Sequence, residues 1–194
     1  MSGESPENRA EDVRLSPRAV DDDALIEAFL DRRPMGVLGL VDDGSPYVVN
    51  QLFVYDATER AIFLHGANIG RTRTVVEASD PAEASFTVSE MGRLLPAEKP
   101  VDFDVEYASV VAVGEIRRLD GRDEKRRALE RLMAKFAPQL EAGEDYAPIA
   151  DASIDRTSVY RLDVEEWSGK RNEPDGAPGA YDYDAVREAT DRGE

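Results

Sequence analysis

The stretch MGVLGLVDDGSPYVVNQLFVY, residues 35–55, decides the fold. Its first part, Met35 to Val41, is a short apolar strand, and its second part, Tyr47 to Tyr55, is longer and rich in the β-branched and aromatic residues that favour strands. Between them lies Asp42-Asp43-Gly44-Ser45, a turn that contains glycine. Two strands joined by such a turn predict a β-hairpin.

Outward from the hairpin, the sequence predicts further strands and three helices. An acidic start precedes the first helix, which has one apolar face and stops before Pro34. Residues 91–104 contain a glycine and two prolines and are typical of a surface loop or lid. The remaining predictions are strands after residue 60 and at 83–89, 107–119 and 157–164, with helices at 69–79 and 122–136. Six strands with short links favour a mainly β (α+β) protein, built as a closed antiparallel barrel with flanking helices and no bare edges.

The segment FLHGANIGRTR, residues 63–73, runs from a strand through a turn into a helix. Gly66 and Gly70 let the backbone come close to a ligand, and the helix start offers unpaired N–H groups and a positive dipole end. Arg71 and Arg73 add positive charge there, which favours a phosphate cradle. The alternative is a loop whose arginines are merely solvated, because arginine pairs also occur elsewhere in the chain.

Composition narrows the class of protein. The 194 residues include 41 acidic and 24 basic side chains, a net charge of −17 that would repel nucleic acid and anionic membranes. Abundant acid with few lysines is typical of a salt-rich cytoplasm, such as that of a halophilic archaeon, where counterions screen self-repulsion. The absence of cysteine excludes disulfides, thiolate catalysis and cysteine-held metals, and a single histidine leaves little for a metal site.

The chain is expected to form one domain over 14–171. Residues 1–13 are polar and acidic and predict a disordered arm, and 172–194 form an acidic Gly/Pro-rich tail. We expect a cytoplasmic protein, because the sequence shows neither the apolar core of a signal peptide nor an apolar run long enough to span a membrane.

Five segments in order resemble the FMN-binding split-barrel proteins of the pyridoxamine 5′-phosphate oxidase-like superfamily, most closely its nitroimidazole-reductase-like branch. The resemblance covers roughly residues 14 to 171. Its segments are Met35 to Gly39, Gly44 to Asp56, His65 to Arg71, Tyr107 to Gly114 and Glu166 to Lys170.

The resemblance implies a six-stranded antiparallel split β-barrel that forms a homodimer, with FMN at the seam between subunits. It places Arg71 and Arg73 on the flavin phosphate, assisted by Thr72 and the helix start. Other residues that it implies near the flavin are Asn50, Gln51 and Leu52 along the ring edge, His65 and Gly66 beside the ring and the bound substrate, Ser109 as a hydrogen-bonding group, and Trp167 and Lys170 closing the pocket.

Each role has a structural alternative. His65 can be a hydrogen-bonded structural residue rather than a catalytic one, and Trp167 can be a barrel plug or a dimer anchor. Ser109 can simply cap a barrel layer. Asn50 and Gln51 can satisfy neighbouring backbone groups.

The resemblance implies an FMN-dependent oxidoreductase that reduces a small aromatic or nitro-type acceptor. The alternatives are a flavin-binding storage or sensor protein without turnover, and a split barrel that holds deazaflavin F420 or haem. Oxidation of pyridoxamine phosphate itself is disfavoured, because that enzyme's arginine and histidine pattern is not found near the C-terminus.

Overall fold

Strands dominate the computed structural model, which describes residues 7–13 and 16–191. The strands are β1 (Glu7–Asn8), β2 (Ala19–Val20), β3 (Met35–Asp42), β4 (Ser45–Asp56), β5 (Ala61–Ala67), β6 (Ala82–Leu95), β7 (Asp104–Arg118) and β8 (Thr157–Asn172). The six long strands pair in the order β8-β5-β4-β3-β6-β7, all antiparallel, and β7 pairs again with β8. This closed ring of hydrogen bonds confirms the predicted six-stranded antiparallel fold.

The helices flank this ring. They are α1 (Asp23–Arg32), α2 (Arg71–Ala78), α3 (Arg122–Phe136), α4 (Asp151–Asp155) and α5 (Tyr183–Asp191), with single 3₁₀ turns at Ala10–Asp12, Ser16–Arg18 and Pro100–Asp102. None of the described helices is both long and apolar enough to cross a membrane.

The β3–β4 hairpin forms as its turn chemistry predicts. The register runs from Met35 opposite Leu52 to Asp42 opposite Ser45, which leaves a two-residue turn. Both turn residues have positive φ, 48° at Asp43 and 74° at Gly44. This conformation matches the right-handed twist of the flanking strands and is favourable for Asp-Gly.

The core fills the inside of the ring with large apolar side chains. Phe53 and Phe86 meet edge to face with ring centroids 4.9 Å apart, and both are fully buried. Helix α1 approaches the ring at Tyr55, whose hydroxyl donates to Glu27, whereas α2 approaches it at Tyr47. Since these tyrosines lie near opposite ends of β4, the two helices close opposite ends of the ring.

A second apolar cluster lies outside the ring, between β5 and α3. Phe63, Leu119 and Leu132 are its largest members, and Val159 of β8 also belongs to it. Along β5 the residues therefore alternate, with Ile62 and Leu64 in the central core and Phe63 on the outer face.

Four segments differ from the sequence-based expectation. The predicted loop at 91–104 is confirmed over residues 96–103 and is wrong over residues 91–95, because β6 continues to Leu95 and pairs with the start of β7 to form a projecting arm. Strand β8 passes residue 164 and continues to Asn172, across an irregularity opposite Val113 and Gly114. Two helices, α4 and α5, were not predicted.

The predicted terminal segments are partly structured. Within the arm assigned to 1–13, residues 7 and 8 pair with β8 and Val13 is buried. Within the tail, Leu94 and Tyr181 form an isolated bridge ahead of α5. Residues 1–6, 14–15 and 192–194 lie outside the described part of the chain.

Candidate functional site

The start of α2 brings two arginines to one end of the ring. Gly70 caps the helix with a φ of 125°, a conformation that side-chain-bearing residues rarely adopt. Arg71 donates from Nε to Asp42 Oδ2 at 2.7 Å and lies over the Tyr47 ring, 4.6 Å from its centroid. Its guanidinium remains exposed on the outside of the helix end.

Arg73 is held more firmly than Arg71. Its Nη1 donates to both the backbone oxygen and the Oδ1 of Asn68, at 2.6 and 2.9 Å, while Nε donates to Glu77 at 2.9 Å. Glu77 also pairs with Arg118 of β7 at 2.7 Å. Arg118 also pairs with Asp120 at 2.7 Å, so each of the three guanidinium groups at this end of the ring has a carboxylate partner.

Thr72 turns toward the ring rather than toward solvent. Its Oγ1 lies 2.8 Å from the hydroxyl of Tyr47. Tyr47 was not among the predicted site residues, yet this tyrosine supports Arg71 with its ring and Thr72 with its hydroxyl. Asn68 was not singled out either, although its place between two glycines was the available signal.

His65 is exposed on the outer face of β5, beyond Phe63 on the same face and opposite Val159 of β8. Neighbouring groups still displace part of the water around the imidazole, and this desolvation lowers the pKa of His65 below its usual value. The neutral form therefore dominates at pH 7. Within the described residues the ring has no hydrogen-bond or ion-pair partner.

An exposed apolar strip adjoins His65 on β3 and β4. Its side chains are between 38% and 66% exposed and belong to Met35, Val37, Val48 and Leu52. The pairing of Phe53 with Leu64, extended by one residue, places Leu52 opposite His65. Of the predicted ring-edge residues, Asn50 and Leu52 share this outer face, whereas Gln51 alternates to the inner side.

Ser109 and Lys170 form a separate group. They pair across β7 and β8 and line a cavity of about 390 Å³ under α1. Arg118, which reaches the α2 end through Glu77, lies nine residues from Ser109 on β7. That separation is about 30 Å of strand. One chain therefore does not bring this pair next to the arginines of α2.

Trp167 and Gly66 lie inside the ring. The indole of Trp167 is 1% exposed, donates from Nε1 to Asp23 Oδ1 at 3.1 Å and packs against Tyr55. This position fits the barrel-plug interpretation of Trp167. A Cβ added to Gly66 would just touch the Tyr160 ring, at 4.0 Å, so glycine is not required there for space.

Solved structures share this architecture over 78–96% of the chain. The flavocytochrome Anf3 from Azotobacter vinelandii is 23% identical with a TM-score of 0.75, covering 96% of this chain and 82% of that chain. An FAD and haem binding protein from Mycobacterium smegmatis is 21% identical, with a TM-score of 0.70 and coverage of 89% and 80%. A candidate 5-nitroimidazole antibiotic resistance protein from Bacteroides thetaiotaomicron is 20% identical, with a TM-score of 0.64 and coverage of 78% and 85%.

At such identities these likenesses show the fold, which is the split barrel. A comparison with curated proteins finds no match. The family model described as pyridoxamine 5′-phosphate oxidase matches residues 22–171, which include the α2 arginines, His65, Ser109 and Lys170. Because this match spans most of the sequence, the chain belongs to the pyridoxamine 5′-phosphate oxidase family.

Proposed function

We propose that this protein is an FMN-dependent oxidoreductase that passes electrons from a reduced nicotinamide, or another donor, to a small aromatic or nitro-type acceptor. The observation that carries the proposal is the combination of a helix start that bears Arg71 and Arg73 with the exposed apolar strip of β3 and β4. Arg71 and Arg73 supply charge for a phosphate, and Val37 and Leu52 supply apolar surface for a planar ring. FMN combines these two chemistries in one molecule.

In this arrangement Arg71 and Arg73 hold the phosphate together with the free N–H groups of the α2 start. Asn50 and Leu52 lie along the flavin ring, because both are on the outer face of β4. His65, neutral and without a partner among the described residues, is available to hydrogen-bond a flavin or acceptor atom.

FMN, when bound, supplies the electron-transfer chemistry, and the chain's task is to bind, orient and shield it. No nucleophile or acid–base pair is needed for that task. His65 as the neutral imidazole has one N–H donor and one acceptor nitrogen. It can therefore donate one hydrogen bond and accept another without carrying charge.

We propose further that the active form is a homodimer with FMN at the seam. Ser109 and Lys170 lie about 30 Å along β7 from the α2 end, farther than an FMN molecule reaches. In a homodimer, Ser109 and Lys170 of the second subunit would contact the flavin whose phosphate is held by the α2 arginines of the first. The outer face of β7 also exposes Val111 and Val113, at 37% and 42%. Exposed apolar surface of this extent on a highly charged protein favours burial between subunits.

The absorbance spectrum of the purified protein tests the cofactor. We expect the two bands of an oxidised flavin, present as isolated or restored by adding FMN. Reduction of that flavin and rapid mixing with nitroaromatics and quinones then tests turnover. Reoxidation no faster than that of free FMN would contradict the oxidoreductase and favour a storage or sensor protein. Absence of FMN binding would contradict the whole proposal.

Haem is the second candidate, favoured by a specific observation. The only histidine has a neutral imidazole with no partner among the described residues, which suits an axial ligand, and two structurally similar proteins are a flavocytochrome and an FAD and haem binding protein. A Soret band that disappears in His65→Gln would support it. Deazaflavin F420 is tested by adding it to the purified protein in place of FMN and recording the absorbance spectrum.

A further inference from the structure

Tyr47 joins strand β4 to the first two residues of α2. It is half-buried and packs against the central core. Its hydroxyl lies 2.8 Å from Thr72 Oγ1, and the Arg71 guanidinium lies over its ring, with Cζ 4.6 Å from the ring centroid. One rigid side chain, fixed in the barrel, therefore holds both residues that open the helix.

Net charge alone does not determine how this helix start would bind a phosphate. Arg71 is paired with Asp42 and Arg73 with Glu77, so carboxylates compensate both guanidinium groups. The pairing with Asp42 engages Nε of Arg71 and leaves its two Nη groups without a hydrogen bond to the described residues. A phosphate would therefore be bound through donors in fixed positions, and a residue that orients these donors controls the affinity.

The backbone and Thr72 provide further donors in the same turn. Gly70 has no side chain to cap α2, and the first bond of the helix runs from the Thr74 N–H to the Gly70 carbonyl oxygen at 3.2 Å. The N–H groups of residues 71–73 therefore have no partner within the described part of the chain. A hydroxyl has one O–H donor and two acceptor lone pairs. If Thr72 accepts its bond from Tyr47, its own O–H stays available to a ligand.

We infer that Tyr47 is the residue that positions the phosphate-binding groups of α2. Its hydroxyl donates to Thr72 Oγ1, which leaves the Thr72 O–H free to donate to a phosphate, and its ring holds the Arg71 guanidinium by a cation–π contact. The inference rests on the proposed flavin function, because the phosphate concerned is that of FMN. It extends that function, since preference for FMN over riboflavin then depends on a residue that acts through Arg71 and Thr72.

A double-mutant cycle tests the link between Tyr47 and Thr72. Tyr47→Phe keeps the ring and removes the hydroxyl, and Thr72→Val keeps the shape of the side chain. Tyr47→Phe should weaken FMN about fivefold, the loss expected for one hydrogen bond, and leave riboflavin within about twofold. In the Thr72→Val background the same change should weaken FMN less than about twofold, because the Tyr47 hydroxyl acts only through Thr72. Fluorescence titration with both ligands gives these affinities.

Two further variants separate the ring from the hydroxyl. Tyr47→Leu removes both, and should weaken FMN at least about threefold more than Tyr47→Phe does, because Arg71 loses the ring on which it lies. The matched control is Tyr55→Phe, which removes a hydroxyl from the opposite end of β4, where it donates to Glu27. This control should leave the affinity for both flavins within about twofold of the native value.

The outcomes distinguish this inference from the proposed function. A native preference for FMN that persists in Tyr47→Phe, or a loss of equal size with and without the Thr72 hydroxyl, would overturn the role of Tyr47 and leave the flavin assignment intact. Denaturant titration of each variant measures the free energy of unfolding. Lower stability of Tyr47→Phe with an unchanged ratio of FMN to riboflavin affinity would assign Tyr47 to the fold alone. A native protein that binds FMN no better than riboflavin would contradict the phosphate assignment and this inference together.

Discussion

Asn68 accepts two hydrogen bonds from the same guanidinium nitrogen of Arg73, at its backbone oxygen and at Oδ1. A third bond, from the Ser158 hydroxyl at 3.2 Å, fixes the amide from the other side. Ser158 is fully buried in β8. Through Asn68, strand β8 therefore fixes the orientation of Arg73 at the candidate phosphate site.

The first prediction concerns the two arginines. Charge-assisted contacts to a phosphate are typically worth about 1.5–3 kcal/mol each. Replacing Arg71 and Arg73 together with Ala should weaken FMN by roughly two or more orders of magnitude and affect riboflavin little, because riboflavin lacks the phosphate. Fluorescence titration with both ligands measures this. Equal losses for FMN and riboflavin would contradict the phosphate assignment.

The second prediction concerns Asn68, as the residue that positions Arg73. Asn68→Ala should weaken FMN by about tenfold with riboflavin unchanged, and should lower the free energy of unfolding by about 1–3 kcal/mol because the Ser158 hydroxyl loses its partner. The double variant Asn68→Ala/Ser158→Ala removes that unpaired hydroxyl. It should regain part of the stability but none of the FMN affinity. If FMN affinity returns with stability, Asn68 acts on the fold alone.

The third prediction concerns the dimer seam. Val37 lies in the exposed apolar strip of β3, so Val37→Asp should convert a homodimer to a monomer in sedimentation experiments. Val101→Asp is the matched control, because Val101 is 87% exposed and lies outside the ring strands. A dimer carries twice the charge of −17, so native assembly should weaken as salt is lowered. A native monomer that still binds FMN tightly would contradict the homodimer.

The sequence predicted those elements whose signals are local. Helix α3 occupies Arg122–Phe136 as expected, because charged and apolar residues alternate there with helical spacing. The strand residues 91–95 were missed because Gly92 and the two prolines that follow indicate a loop locally, whereas pairing with the start of β7 satisfies the backbone of these residues.

The residue types of the candidate site could be predicted from the sequence, but the positions of these residues relative to one another could not. Arg71, Arg73 and His65 are adjacent in sequence, and the structure keeps them at one end of the ring. The placement of Ser109 and Lys170 at the other end depends on the β7–β8 register. That register passes an irregularity at Gly114, where a Cβ would come within 1.9 Å of the Asp163 carbonyl oxygen. No pattern in the separate strands encodes such a pairing.

The last prediction separates an enzyme from a binding protein through His65. The ring is neutral at pH 7, lies beside Leu52 on the outer face and has no partner among the described residues. The glycine that follows leaves the ring edge open. His65→Gln should therefore keep FMN and the dimer, yet slow reoxidation of the reduced flavin by nitroaromatics or quinones at least tenfold, or about 1.4 kcal/mol in barrier.

The pH dependence of stability supplies a control for the same variant. Because the folded state lowers the pKa of His65, it binds this proton less readily than the unfolded chain. The contribution of His65 to stability is thus fully present above the unfolded pKa of about 6.5 and is lost as pH falls through the lower folded value. In His65→Gln this part of the loss of stability at low pH should be absent when the free energy of unfolding is measured by denaturant titration at several pH values. Unchanged reoxidation rates together with that altered pH profile would assign His65 to the fold and leave the flavin chemistry to other residues.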